Sequence, residues 1–159
     1  MRREGLTGGC QCGGVRYRLL SRPTHASICH CRMCQKAFGS YFAPLAGVPR
    51  AYLAWTRGEP ESYRSSEAVE RGFCRDCGTP LTYSVLSRDR ISVSLGSLDE
   101  PERVEPEEQF GIESRLTLFG RLHLLPEATT EASHPPELLT RMKSRQHPDQ
   151  DTETWPPPA

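Results

Sequence analysis

The chain has 159 residues, 36% of them hydrophobic, with Lys+Arg and Asp+Glu balanced at 20 each. Zero formal net charge supplies no basic excess to hold nucleic acid or an anionic membrane, and no apolar run reaches the ~20 residues of a membrane span. So low a hydrophobic content suits one small domain whose core needs a metal or disulfides to hold it.

The N-terminal stretch Met1-Arg2-Arg3-Glu4-Gly5-Leu6 leads into glycines and cysteines and carries no apolar export segment. Seven cysteines, an odd number, in such a chain favour metal ligation in a reducing cytoplasm over a disulfide framework. The first pair lies in Gly8-Gly9-Cys10-Gln11-Cys12-Gly13-Gly14. Val15 to Leu19 then alternates apolar and charged residues, as a half-buried strand does. Pro23 breaks that pattern, and Ala26-Ser27-Ile28 leads to the densest cluster, Cys29-His30-Cys31-Arg32-Met33-Cys34. Arg32 to Phe38 holds no Gly or Pro and predicts one or two helical turns ended by Gly39.

Short strands are predicted over Ser40–Leu45, Ala51–Trp55, Glu61–Tyr63 and Val69–Phe73, separated by Gly47, Pro49, Gly58 and Pro60. Cys74-Arg75-Asp76-Cys77-Gly78 follows as a turn. Leu81, Tyr83 and Val85, then Ile91, Val93 and Leu95, alternate with small polar residues, and Phe110-Gly111-Ile112 adds a weak last strand. Many short strands between turn signals predict a mainly β domain over residues 5–126. Beyond Pro126 the composition turns to Pro, Glu, Thr and His. Residues 127–159 are expected to be a Pro-rich, mostly disordered appendage, with a short helix near Pro135–Met142.

Cysteines at i, i+2 and i+5 can turn three sulfurs toward one point, and zinc is the ion that usually gathers such a set. Neighbours so close in sequence are poorly placed to form disulfides with each other. Cys12 and Cys77 are each followed by glycine, which supplies the left-handed turn of a zinc knuckle. Two facing knuckles would close a structural site on Cys10, Cys12, Cys74 and Cys77, tying together segments some sixty residues apart. The seven thiols then divide four and three, and Cys29, Cys31 and Cys34 leave a fourth metal position open for a ligand. In the alternative division, the triplet takes one outlying cysteine and the others stay as free buried thiols.

Read in order, Gly-Cys-x-Cys-Gly, Cys-His-Cys-x-x-Cys and Arg71-Gly72-Phe73-Cys74-x-x-Cys77-Gly78 resemble the glutathione-dependent formaldehyde-activating enzyme family, which includes centromere protein V. The resemblance covers about residues 5–126. It implies a β-tent fold of short antiparallel strands stapled by two zinc ions, a structural one on Cys10, Cys12, Cys74 and Cys77 and a catalytic one on Cys29, Cys31 and Cys34. It also implies carbon–sulfur lyase chemistry on a thiol–aldehyde adduct, as in S-(hydroxymethyl)glutathione synthesis, with glutathione as the small-molecule partner. Members typically carry a His at the start of the last conserved segment and a Trp after it; this chain has Gln109 and Leu118 there, beside Glu113-Ser114-Arg115.

Three thiolates already give bound zinc an overall negative charge, which favours thiolate transfer over hydrolysis. His30, between two ligands, is expected to point away from the metal, and His25 and His123 are expected at the surface or in the core. Arg32, Lys36 and Ser40 are candidates to meet substrate carboxylates. Tyr41, Phe42 and Trp55 read as core aromatics. The competing reading is a non-catalytic zinc module that binds a protein.

Overall fold

The computed structural model describes residues 5–156. The first four residues of the N-terminal stretch and the end of the proline run, 157–159, lie outside the described residues.

Two sheets carry the fold. The small one joins β1 (Thr7–Gly9), β2 (Arg16–Leu19) and β5 (Leu53–Arg57) in the order β1-β2-β5. The large one is built from β3 (His25–Cys29), β4 (Ala43–Pro49), β6 (Glu61–Ser66), β7 (Val69–Phe73), β8 (Pro80–Val85), β9 (Arg90–Ser94) and β10 (Glu108–Phe110). Its order is β10-β3-β4-β9-β8-β7-β6. Every neighbouring pair is antiparallel except β10 with β3, which is parallel. The domain is mainly β, as the strand periodicity predicts.

One core cluster draws on both sheets. Tyr17 and Leu19 of β2 are fully buried, in one cluster with Val48, Leu81 and Val93 of the large sheet. Burying each aliphatic side chain is worth about 1.5–3 kcal/mol. Tyr17 also satisfies its hydroxyl against Ser97 Oγ at 2.8 Å and meets Trp55 edge to face. At the far edge, β6 exposes nearly every side chain of Glu-Ser-Tyr-Arg-Ser-Ser, the polar dress that discourages pairing with another chain.

The structure adjusts several predicted elements. The strand expected at Ser40–Leu45 starts at Ala43 and runs through Gly47 to Pro49. Its breakers are tolerated because Gly47 lies close against the Arg90 side chain on β9 and Pro49 ends the strand. β1 and β3 form from glycines and small residues that carry no alternation, organised by their neighbours β2 and β4. The last strand covers Glu108–Phe110 instead of Phe110–Ile112, since Gly111 takes a positive φ of 63° and turns the chain into a 3-10 turn.

The helix α1 (Arg32–Phe38) lies where predicted and ends at Gly39. Two short helices, α2 (Thr130–Ser133) and α3 (Pro136–Arg141), follow the strands. Residues 147–155 fall within the stretch expected to be mostly disordered, and the structure packs them against the first cysteine pair. His147 is buried and its amide donates to Gln11 O. Asp151 pairs with Arg16 and Arg18, Arg57 donates to Thr152 O, and Trp155 Nε1 donates to Cys12 O at 2.7 Å. Single polar contacts of this kind leave no periodic apolar signal in the sequence.

Candidate metal centres

All seven cysteines are free thiols, and they gather in two groups. Cys10, Cys12, Cys74 and Cys77 form one and Cys29, Cys31 and Cys34 the other, with the sulfurs of each set within 4.8 Å of one another. In the first group Cys10 Sγ and Cys12 Sγ stand 3.5 Å apart, and Cys12 Sγ and Cys74 Sγ 3.8 Å. Zinc–sulfur bonds of ~2.3 Å in a tetrahedron put sulfurs about 3.8 Å apart. The first set therefore fits one tetrahedral ion and is too wide for a disulfide.

The knuckle geometry follows from the local chain. Gly13 and Gly78 both take positive φ, 78° and 75°, so the backbone folds back over the sulfurs. Val15 N donates to Cys10 Sγ at 3.2 Å. Burial and the neighbouring thiols push Cys12 up to about 12. Cys77 is also pushed up by burial, but hydrogen bonds from the Thr79 hydroxyl and from backbone amides outweigh this and bring it down to about 6.

The triplet is assembled differently. Cys29 ends β3, held between Ala43 of β4 and Phe110 of β10. Cys31 caps α1, its sulfur accepting from Cys34 N at 3.4 Å, and Cys34 lies in the first turn of that helix, 1% exposed. Gly111 sits where a Cβ would come within 2.7 Å of Cys31 N, so the chain after β10 can pass this close only without a side chain. Cys34 is lowered to about 5 because its sulfur accepts from the Cys29 thiol and from Arg71 Nη2 at 3.3 Å. Cys29 is correspondingly raised. One ready thiolate amid two further soft donors is an electrostatic trap for a cation such as zinc.

His30 turns away from the triplet, as expected, and points inward. It is fully buried, donates from Nε2 to Gln109 Oε1 at 3.0 Å, and packs edge-on against Phe119. Gln109, at the position where members of the resembled family typically carry a histidine, thus has a defined partner. Trp55 is half-buried beside Tyr17, Phe42 packs on Phe119, and Tyr41 is exposed.

A cavity of about 310 Å³ opens beside the triplet, lined by Cys29 and Cys34 at one end and by Arg88 and Arg90 among its other residues. Leu45, Tyr83, Val85 and Phe110 form apolar wall, and no Asp or Glu lines it. His25, partly exposed, borders this cavity and joins neither sulfur cluster, and His123 is exposed elsewhere. Arg32, Lys36 and Ser40 do not line it. They border a separate shallow depression with Tyr41 and Leu116, and Arg32 bonds Gln35. Sequence reasoning named Arg71 only as part of a motif, without a role, and passed over Arg88 and Arg90. The signal available for Arg71 was a charged residue two positions before Phe73-Cys74, inside a strand too polar to assign a face.

Fold and cysteine geometry together define a small, mainly β protein with two sulfur clusters that could hold a soft metal ion, one of four cysteines and one of three. The family model for glutathione-dependent formaldehyde-activating enzyme matches residues 5–114, and the chain belongs to that family. An uncharacterized lyase of Schizosaccharomyces pombe is 27% identical over 77 residues, 48% of this chain and 56% of that protein. The chain thus spans little more than half of that relative's length. A crystal structure of a Rhodobacter sphaeroides protein superposes with a TM-score of 0.51 at 26% identity, covering 65% of this chain and 98% of the other.

Proposed function

We propose that the protein is a zinc-dependent carbon–sulfur lyase that makes or breaks the adduct between an aldehyde and a small thiol, with glutathione and formaldehyde as the leading pair. The observation that carries this reading is the three-sulfur cluster opening onto a cavity with two arginines and no acid. In this reading Cys10, Cys12, Cys74 and Cys77 hold a structural zinc, and Cys29, Cys31 and Cys34 hold a catalytic one. Zinc held by the triplet would supply one thing, a site at which a substrate thiol would bind as thiolate near neutral pH.

The chain's own residues do the rest. Arg88 and Arg90 carry no ion pair among the described residues and can take up the carboxylates of a thiol such as glutathione. Leu45, Val85 and Phe110 keep water from the reacting carbon. When the substrate thiolate attacks the aldehyde carbon, the carbonyl oxygen becomes an alkoxide and takes up, through solvent, the proton that the thiol gave up on binding. Ser27, Tyr83, Ser84 and Ser92 place hydroxyls along the wall for that oxygen, and burial raises Tyr83, keeping its proton in place at neutral pH. In reverse, loss of that proton lets the carbon–sulfur bond break and returns thiol and aldehyde. Among the described residues no helix is long and apolar enough to cross a membrane. Free thiols throughout agree with a cytoplasmic location.

Exchange spectroscopy by NMR on mixtures of glutathione and formaldehyde tests the reading. The zinc-loaded protein should speed interconversion of free thiol and hydroxymethyl adduct, and Cys31→Ala should return the rate to the uncatalysed value. Equal rates with and without the wild-type protein, for glutathione and for a panel of other small thiols, would overturn it.

A further inference from the structure

Two arginines are buried among the described residues, and only one has an acidic partner. Arg16, 3% exposed, is neutralised by Asp99 at 2.6 Å and Asp151 at 2.9 Å. Arg71, 4% exposed, has no carboxylate within ion-pair distance. Its Nε donates to Ser65 Oγ at 3.0 Å, its Nη2 to Cys34 Sγ at 3.3 Å, and its guanidinium carbon lies 5.0 Å over the Tyr83 ring. Among the described residues its Nη1 is buried without a partner. An arginine cannot shed its proton to escape such a site, and a buried charge without a countercharge is strongly destabilising. Among the described residues, the group it touches that can carry negative charge is the sulfur cluster, through Cys34.

Charge counting supports this. A divalent ion on three thiolates carries a net charge of minus one, and a fourth thiolate makes it minus two. Arg71 brings these to zero and minus one. We propose that Arg71 is the counter-ion of the Cys29–Cys31–Cys34 metal centre, a positioning residue that holds the Cys34 sulfur and favours an anionic fourth ligand over a neutral one. The proposal rests on the reading of the triplet as a metal site. Outer contacts to a metal ligand are commonly worth ten- to a hundredfold in metal affinity. In this protein the contact is charged, so its removal should discriminate between ligands by their charge.

The test uses the full chain loaded with cobalt, which reports both centres through thiolate charge-transfer bands. Arg71→Met and Arg71→Lys are compared with wild type, with persistence of the four-cysteine band as the check on folding. Two ligands are titrated onto the triplet: 2-mercaptoethanol, which binds as an anion, and imidazole, which binds neutral. Arg71→Met should weaken mercaptoethanol binding roughly ten- to a hundredfold and leave imidazole binding little changed. Arg71→Lys should restore most of the preference. Equal losses for both ligands, or no loss for either, would overturn the counter-ion role while leaving the metal site intact. A wild-type triplet that takes up no cobalt would overturn the metal reading and this proposal with it. If Arg71→Met loses the four-cysteine band, Arg71→Gln carries the same comparison under the same criteria.

Discussion

Cys74 and Cys31 are both metal-ligating thiols in this account, yet their removal should have different consequences. Cys74 is 1% exposed and sits in the main core cluster, and its sulfur set spans segments 62 residues apart. Cys74→Ser opens a closed site whose metal binding is also folding free energy, so the domain should unfold or lose several kcal/mol of stability. Cys31 lies at the start of α1, half-buried, against a smaller satellite cluster. Cys31→Ser should leave a cooperative unfolding transition and one bound zinc. Melting curves and metal analysis on the two variants check this, and equal destabilisation would mean that the roles of the two sets are misassigned. These cysteines were legible from the sequence because ligand spacing and the following glycine are local signals. The roles of Arg71, Arg88 and Arg90 were not, because an arginine in a polar strand or turn looks the same in sequence whether it faces solvent, a cavity or a buried sulfur.

At the scale of elements, β2, β8 and β9 follow from residue alternation, with Leu81 and Val93 both fully buried, whereas β6 and β7 follow only from the Gly and Pro that bound them. β1 and β3 did not follow, since Gly8, Gly9, Ala26 and Ser27 have no large side chains whose period could be read. The C-terminal segment is the larger surprise. We infer that residues 146–156 act as a strap over the four-cysteine site, because His147 packs against Gly13 and Trp155 bonds Cys12 O. The Asp151 carboxylate joins Arg16 and Arg18 across the same edge. Truncation after Arg145 should therefore lower the melting temperature by several degrees, as a loss of roughly 1–2 kcal/mol does in a domain of this size. It should also speed zinc release from the four-cysteine site to a chelator. Unchanged melting and unchanged release would show that the segment is a dispensable appendage, as its composition suggests.

Across the whole molecule, the proposed reading has the two cysteine sets divide the labour of a small chain. The four-sulfur centre lies against the main core and joins the small sheet to the turn before β8, holding together a fold whose apolar content is low. The three-sulfur centre lies on the satellite cluster, where the end of β3 and the start of α1 meet a cavity carrying positive charge and no acid. On this proposal stability and chemistry are separated in space, and the open centre should exchange ligands without loosening the core. X-ray absorption at the zinc edge tests that division most directly. Seven sulfurs shared by two ions average about 3.5 per zinc in the resting protein, and the account predicts a rise to about 4 when glutathione or another accepted thiol is added. One zinc per chain with four sulfurs, or a sulfur count that stays at about 3.5 with every thiol supplied, would contradict it.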